Sequence, residues 1–170
     1  MVLPLPLDYF ERDERRQLVK VASDTAKNTL AKNIAGPIIT RSANPGDFGI
    51  SGNTFEFTLG GTGHDTLVDR TLDDDEAIAI YGFADLSTNP QITRIVIKSG
   101  AEIIADLNIE DVYAHDVPEV LLDKPIVFSP KMRMVIECYN TNTGGTSTTE
   151  KLVIKAVVAE KAGKTVAKPY

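Results

Sequence analysis

The chain has 170 residues, 42% of them hydrophobic and 25% charged, with a net charge of −6. That size fits one domain around one core, and the composition excludes wholesale disorder. One Cys, two His and no Trp leave no material for a disulfide framework and very little for a zinc site or nucleophilic catalysis.

The N-terminal run Met1-Val-Leu-Pro-Leu-Pro-Leu7 is apolar, but it lacks a basic leader and contains two prolines, so it does not read as a signal peptide. No stretch approaches the roughly 18 apolar residues that span a bilayer, and no Asn-x-Ser/Thr sequon occurs. The expectation is a protein made in the cytoplasm without export. From Asp8 to about Ile34 there is no Gly or Pro, and Leu18, Val21, Ala22, Ala26, Leu30 and Ala31 recur at three- and four-residue spacing. The spacing predicts an amphipathic helix with Asp8 as N-cap, Glu11 and Arg15 paired at i,i+4, and Ala35-Gly36-Pro37 as the stop. Such a helix reaches roughly 40 Å, more than covering one small sheet requires. Two readings stand: an arm (1–36) that reaches a partner, or a helix packed along its own domain.

After Pro37 the pattern changes to short β-type runs. Strands are predicted near Ile38–Arg41, Thr54–Leu59, Ala77–Phe83, Ile92–Lys98, Glu102–Leu107, Pro125–Phe128, Arg133–Tyr139 and Lys151–Glu160. Turn chemistry lies between them in Asn44-Pro-Gly-Asp47, Gly60-Gly-Thr-Gly63, Asn89-Pro90, Ser99-Gly100 and the polar run 140–149. Phe55, Phe57 and Leu59 share one face, as do Ile95 and Ile97 against Arg94, Val96 and Lys98. Gln91–Lys98 and Ala101–Leu107 form a tight hairpin, Asn108–Tyr113 reads as a short helix, and the prolines at 125 and 130 mark an edge strand. The fold class expected is mainly β: an eight-strand antiparallel sandwich over residues 37–160, a single jelly roll, with the long N-terminal helix. An immunoglobulin-like sandwich fits the same pattern. Residues 161–170 form a basic tail.

Charge divides along these segments: +1 in residues 1–34, −10 in 35–160 and +3 in 161–170. The acidic body argues against nucleic acid as a partner, while the ends suit something acidic, including a second copy of the body.

Each reactive group has a structural reading beside its chemical one. Cys138 lies in the apolar run Met132–Tyr139 with no activating neighbour and reads as a sheet thiol. His64-Asp65 and His115-Asp116 are adjacent pairs without a nucleophile, and Gly49-Ile-Ser51-Gly-Asn53 misses the nucleophile-elbow spacing. Asp69 and Asp73-Asp74-Asp75-Glu76 lack the staggered ligands of a calcium loop and read as a solvated acidic turn. Gly60–Gly63 lacks phosphate-loop and dinucleotide spacing and is a turn. The 140–149 loop reads as a flexible hairpin tip, with a glycan contact beside Tyr139 as the alternative. No catalytic, cofactor-binding or metal-ligating residue is expected, and no enzyme.

The segments Gln91-Ile-Thr-Arg-Ile-Val-Ile-Lys-Ser-Gly100, Ala105-Asp-Leu-Asn-Ile-Glu110, Lys124-Pro-Ile-Val-Phe-Ser-Pro130 and Lys151-Leu-Val-Ile-Lys-Ala-Val-Val-Ala-Glu160 give residues 38–160 an architecture. With the helical arm and the basic tail, it resembles the single-jelly-roll capsid proteins of tailless icosahedral viruses and the head cement proteins of tailed phages. The resemblance implies a virion protein, forming or decorating a shell. It would act by self-assembly with copies of itself and other capsid proteins, contacted through helix and tail. The alternative function is a carbohydrate- or receptor-binding sandwich, such as a phage tail or spike component. A cupin-like enzyme would need a His-rich metal cluster that two His do not provide.

Overall fold

The computed structural model describes residues 7–110 and 119–165, and the helix side chains from Asp13 onward. Described are a helix α1 (Leu7–Ala31) and strands β1 (Ile38–Ser42), β2 (Glu56–Leu59), β3 (His64–Thr71), β4 (Glu76–Asp85), β5 (Ile92–Ser99), β6 (Glu102–Asn108), β7 (Glu119–Phe128), β8 (Arg133–Asn140) and β9 (Thr148–Lys161). The first sheet has the order β1-β9-β4-β7, with β2 also on β9, and the second has β3-β8-β5-β6. All pairings are antiparallel.

β1 and β2 lie on the two ends of β9, pairing Val157–Lys161 and Thr148–Lys151 respectively. They act as one strand interrupted by the 3-10 turn Pro45–Phe48. Counted so, the sandwich has the expected eight strands. The pairs β1/β2 with β9, β3 with β8, β4 with β7 and β5 with β6 alternate between the sheets. That is one long hairpin rolled up, the order of a single jelly roll, and it separates this fold from an immunoglobulin-like sandwich.

β3 is the segment the pattern missed. Its residues His-Asp-Thr-Leu-Val-Asp-Arg-Thr are mostly polar because only Val68 is fully buried and a bulge between Thr66 and Val68 breaks the alternation. The β8–β9 loop is also not a hairpin tip, since β8 and β9 belong to different sheets and the loop crosses between them. The edge strand predicted at Pro125–Phe128 is β7, which begins earlier, at Glu119. Between Leu121 and Ile126 it bulges away from β4, leaving Pro125 outside the ladder. At that bulge Gly82 is required, because a Cβ there would sit 2.6 Å from Val120 O. The short helix expected at Asn108–Tyr113 runs into residues 111–118, outside the described residues.

β4 and β9 are buried on both faces and their sequences say why. Ile78, Ile80, Leu152, Ile154 and Val158 point between the sheets, where Phe83, Phe128, Ile95, Ile97, Met134 and Ile136 complete the core. The alternate positions Ala77, Ala79, Val157 and Ala159 are small and meet α1 through Ala22, Ala26 and Leu30. Small residues on both sides let the helix lie close on the sheet. Full burial of Leu30 stabilises this contact by about 1.5–3 kcal/mol. Polar ties fix it: Arg15 pairs with Glu119 at 2.8 Å, Lys155 also pairs with Glu119, and Ser23 Oγ donates to Thr40 Oγ1 at 2.8 Å. Of the two readings of the helix, packing along its own domain describes Asp13–Ala31. Val21, expected on the apolar face, is exposed. The helix starts at Leu7, so Asp8 lies in its first turn, and it ends at Ala31, where the Asn33 and Ile34 amides donate to Leu30 O.

Candidate functional site

The sandwich buries acidic side chains at its two ends, and the ends treat them differently. At one end Glu76 and Glu160 are directly opposite each other on β4 and β9. Both are buried, as is Asp47 in the 3-10 turn. Cations meet all three. Arg41 makes a bidentate pair with Asp47, 2.7 Å on each arm, and reaches Glu160 at 3.1 Å. Asp47, and then Glu160, hold the Arg41 guanidinium above its ordinary range although burial opposes them. Arg70 donates to Glu76 and to Asp47 O.

The basic tail closes this network. Lys164 Nζ donates to Asp73 at 2.9 Å, Asp75 at 2.5 Å and Glu76 at 3.5 Å. Partial burial opposes its charge, but Asp75 and Asp73 outweigh that and raise its pKa. Lys164 in turn lowers that of Asp73. The acidic turn is thus the docking point of the chain's own Lys164, and Glu76, expected to be solvated, is interior.

At the other end Asp85 closes β4 and Glu150 opens β9. They are 3% and 1% exposed, and they hydrogen-bond to each other. Glu150 Oε1 accepts from the Gln91 and Ile92 amides at 2.9 and 3.0 Å, and Asp85 Oδ1 accepts from the Ser87 amide at 2.9 Å. Burial pushes the Glu150 carboxyl up to about 8, the bond to Asp85 adds to that, and the amides oppose it. Above this pair lies an open cleft of about 400 Å³ lined by Glu56, Leu86, Ser87, Asn89, Thr149 and Lys151, among others.

The crossover loop beside the cleft is stitched down from within. Asn142, buried, donates through Nδ2 to Thr146 O at 2.9 Å and Thr148 Oγ1 at 3.0 Å, and its carbonyl accepts from the Gly63 amide at 2.8 Å. Gly61, with φ +84, lies under this loop where a Cβ would come within 2.7 Å of Thr146 N. The two Gly-rich segments seen in the sequence therefore pack on each other.

The outer face of the second sheet is a ladder of charge pairs. Arg94 pairs with Asp106, Arg133 with Asp69 at 2.6 Å, and Lys98 with Glu137 at 2.7 Å. Lys98, more than His64, lowers the pKa of Glu137. Tyr139, 40% exposed, has the His64 ring 4.7 Å away and the Arg94 guanidinium 4.8 Å from its centroid. His64 thus pairs across strands with Tyr139 and Glu137, while Asp65 faces the other way and accepts from Asn140 Nδ2 at 2.9 Å. The two do not form an acid/base unit. Cys138 is fully buried, and burial pushes its thiol up to about 11, in keeping with a sheet thiol. His115 and Asp116 lie outside the described residues. Among the described residues, no three His, Cys, Asp or Glu side chains are grouped to hold a metal ion, and no helix is long and apolar enough to cross a membrane.

Nothing local in the chain marks Asp85 and Glu150 as neighbours. Glu150 sits in the polar string Thr-Ser-Thr-Thr-Glu-Lys, and only its alternation with Leu152 and Ile154 marks it as inward-facing.

No protein-family model matches the chain, and no curated protein does. Among solved structures it is similar to the VP2 protein of the infectious bursal disease virus VP2 subviral particle, with a TM-score of 0.37 and 12% identity over 77% of this chain and 34% of that one. It is likewise similar to the protein of T=1 particles derived from infectious bursal virus, with a TM-score of 0.35 and 11% identity over 74% of this chain and 32% of that one. The chain spans about a third of the length of these proteins.

Proposed function

We propose that this chain is a structural virion protein, a capsid shell or capsid-decorating subunit that acts through contacts with copies of itself and with other capsid proteins. The observation that carries the reading is the strand order. The resemblance to single-jelly-roll capsid and cement proteins implies two interleaved four-stranded sheets, and β1/β2-β9-β4-β7 over β3-β8-β5-β6 is that arrangement. Rigid sheets set the subunit's shape, and repeated symmetric contacts supply affinity. Residues 1–36, 37–160 and 161–170 enter the proposal as arm, body and tail. The stretch Asp13–Ala31 of the arm and Lys164 of the tail also serve their own body. The implied location is the virion.

The test is assembly of the whole purified chain, read by light scattering and negative-stain electron microscopy. Closed particles or a defined oligomer are expected, or binding to preformed shells for a decorating subunit. A chain that stays monomeric and binds no shell overturns the proposal.

A second reading, a glycan-binding module, draws on the polar cleft beside the 141–147 loop and on exposed Tyr139. It predicts saturable binding in a glycan screen, lost when that loop is shortened.

A further inference from the structure

We propose that the cleft between β2 and segment 86–91 is one half of a two-part groove that binds an uncharged oligosaccharide, with Glu56 and Lys151 as its polar anchors. The proposal rests on the glycan-binding reading and places the ligand on the outward face of the first sheet, away from Tyr139 on the second. On that face β9 carries Val157 and Ala159 under α1, and at its other end Thr149 and Lys151, which line the open cleft. β2 lies alongside, with Glu56 directly opposite Lys151 and Thr58 opposite Thr149. Glu56 and Thr149 also line a second opening of about 270 Å³, bounded by Ser51, Gly52 and Thr54, so the cleft continues past β2 into it.

The groove is held from behind. Asp85 holds the Ser87 amide, Glu150 holds the Gln91 and Ile92 amides, and Ser87 Oγ accepts from Lys151 N at 2.8 Å. Thr148 Oγ1 donates to Gln91 Oε1 at 2.6 Å, and Asn142 Nδ2 donates to Thr148 Oγ1 in turn. A ligand therefore meets a preformed surface and orders little chain on binding.

The chemistry of the lining selects the ligand. Among the described residues the Glu56 carboxylate, the Lys151 ammonium and the Thr88, Asn89 and Thr149 side chains have no hydrogen-bond or ion-pair partner, although Glu56 and Lys151 oppose each other. A carboxylate accepts from neighbouring hydroxyls and an ammonium donates up to three bonds, so the two suit a ligand dense in hydroxyls. A protein partner fits less well, because the centre of a protein interface is aromatic and apolar, and among the described residues the 400 Å³ cleft offers Leu86 as its one large apolar side chain. The charges of Glu56 and Lys151 cancel, while the chain as a whole carries −6, so an anionic sugar is repelled.

The test is a ¹⁵N NMR titration of the full chain with maltohexaose, cellohexaose, chitohexaose and mannohexaose, and with hexagalacturonate as the acidic comparison, for the native protein, E56Q and K151M. Saturable shifts centred on β2, segment 86–91 and residues 148–151 are expected for at least one uncharged oligosaccharide. E56Q and K151M should each weaken that binding by about ten-fold or more while keeping the native spectrum elsewhere. Three results overturn the groove and leave the glycan reading standing: shifts centred on Tyr139, binding of hexagalacturonate alone, or native affinity in both variants. No saturable shift with any of these sugars overturns the groove and the glycan reading together.

Discussion

β4 and β9 run side by side and each carries a buried acid at both ends, so the two ends of one strand pair make a natural comparison. At the Glu76–Glu160 end the negative charge is met by Arg41, Arg70 and Lys164. At the Asp85–Glu150 end, roughly 30 Å away along β9, backbone amides face the carboxyls, and burial pushes the Glu150 carboxyl up to about 8. A guanidinium stays charged at any physiological pH, whereas a proton leaves when the solution turns alkaline. The same chemical problem has been solved in one place permanently and in the other conditionally.

Substitutions at the two ends should separate them. The largest effect is expected for Arg41→Ala, which strands Asp47 and Glu160 in the interior; a loss of about 3–5 kcal/mol in denaturant unfolding at pH 7 follows from an unpaired buried charge. A loss below about 1 kcal/mol would mean that water reaches this network and that the ends are alike. Leu30→Ala probes the helix contact over the middle of the same strands and should cost about 2–5 kcal/mol with the jelly roll intact.

A matched pair of isosteric changes sharpens the contrast. Glu160→Gln removes the charge that faces Arg41 and places an amide where Glu160 Oε1 has no partner among the described residues, so about 1–3 kcal/mol should be lost. Glu150→Gln copies the protonated acid and should lie within about 1 kcal/mol of the native chain at pH 7, with its relative stability improving as pH rises from 5 to 9. Equal losses for the two would remove the distinction. The smallest effect, under about 1 kcal/mol, is expected for Lys164→Ala, whose ammonium is partly exposed and meets exposed Asp73.

How much of this was legible depends on whether the signal was local. α1 announced itself by spacing, and its Ala-rich face was already visible in Ala22 and Ala26, although the small residues of β4 and β9 that receive it became meaningful only once the strands were adjacent. The β5–β6 hairpin followed from Ser99-Gly100 between two alternating runs, and Gly100 does adopt φ +60. β3 did not follow, because one of its faces is a charge ladder and the other supplies one fully buried side chain. Both buried acid clusters were invisible for a different reason. Arg41 and Glu160 are 119 positions apart, and Gln91 and Glu150 are 59 apart, so pattern along the chain carries no trace of either contact. The acidic run Asp73–Glu76 looked solvated because nothing local says that a lysine near the other end of the chain will settle on it.

β9 also bears on how the molecule comes into being. It lies between β1/β2 and β4 in the first sheet, yet it follows every other strand in sequence. Until residues 148–161 are available, β4 has no strand on one flank, β1 and β2 have no strand to pair with among the described residues, and the small-residue bed for α1 is half built. Closure of the sheet therefore waits on pairings between distant parts of the chain. This predicts slow folding for a domain of this size, on the order of milliseconds to seconds, with the open flank of β4 as its most aggregation-prone surface in the meantime.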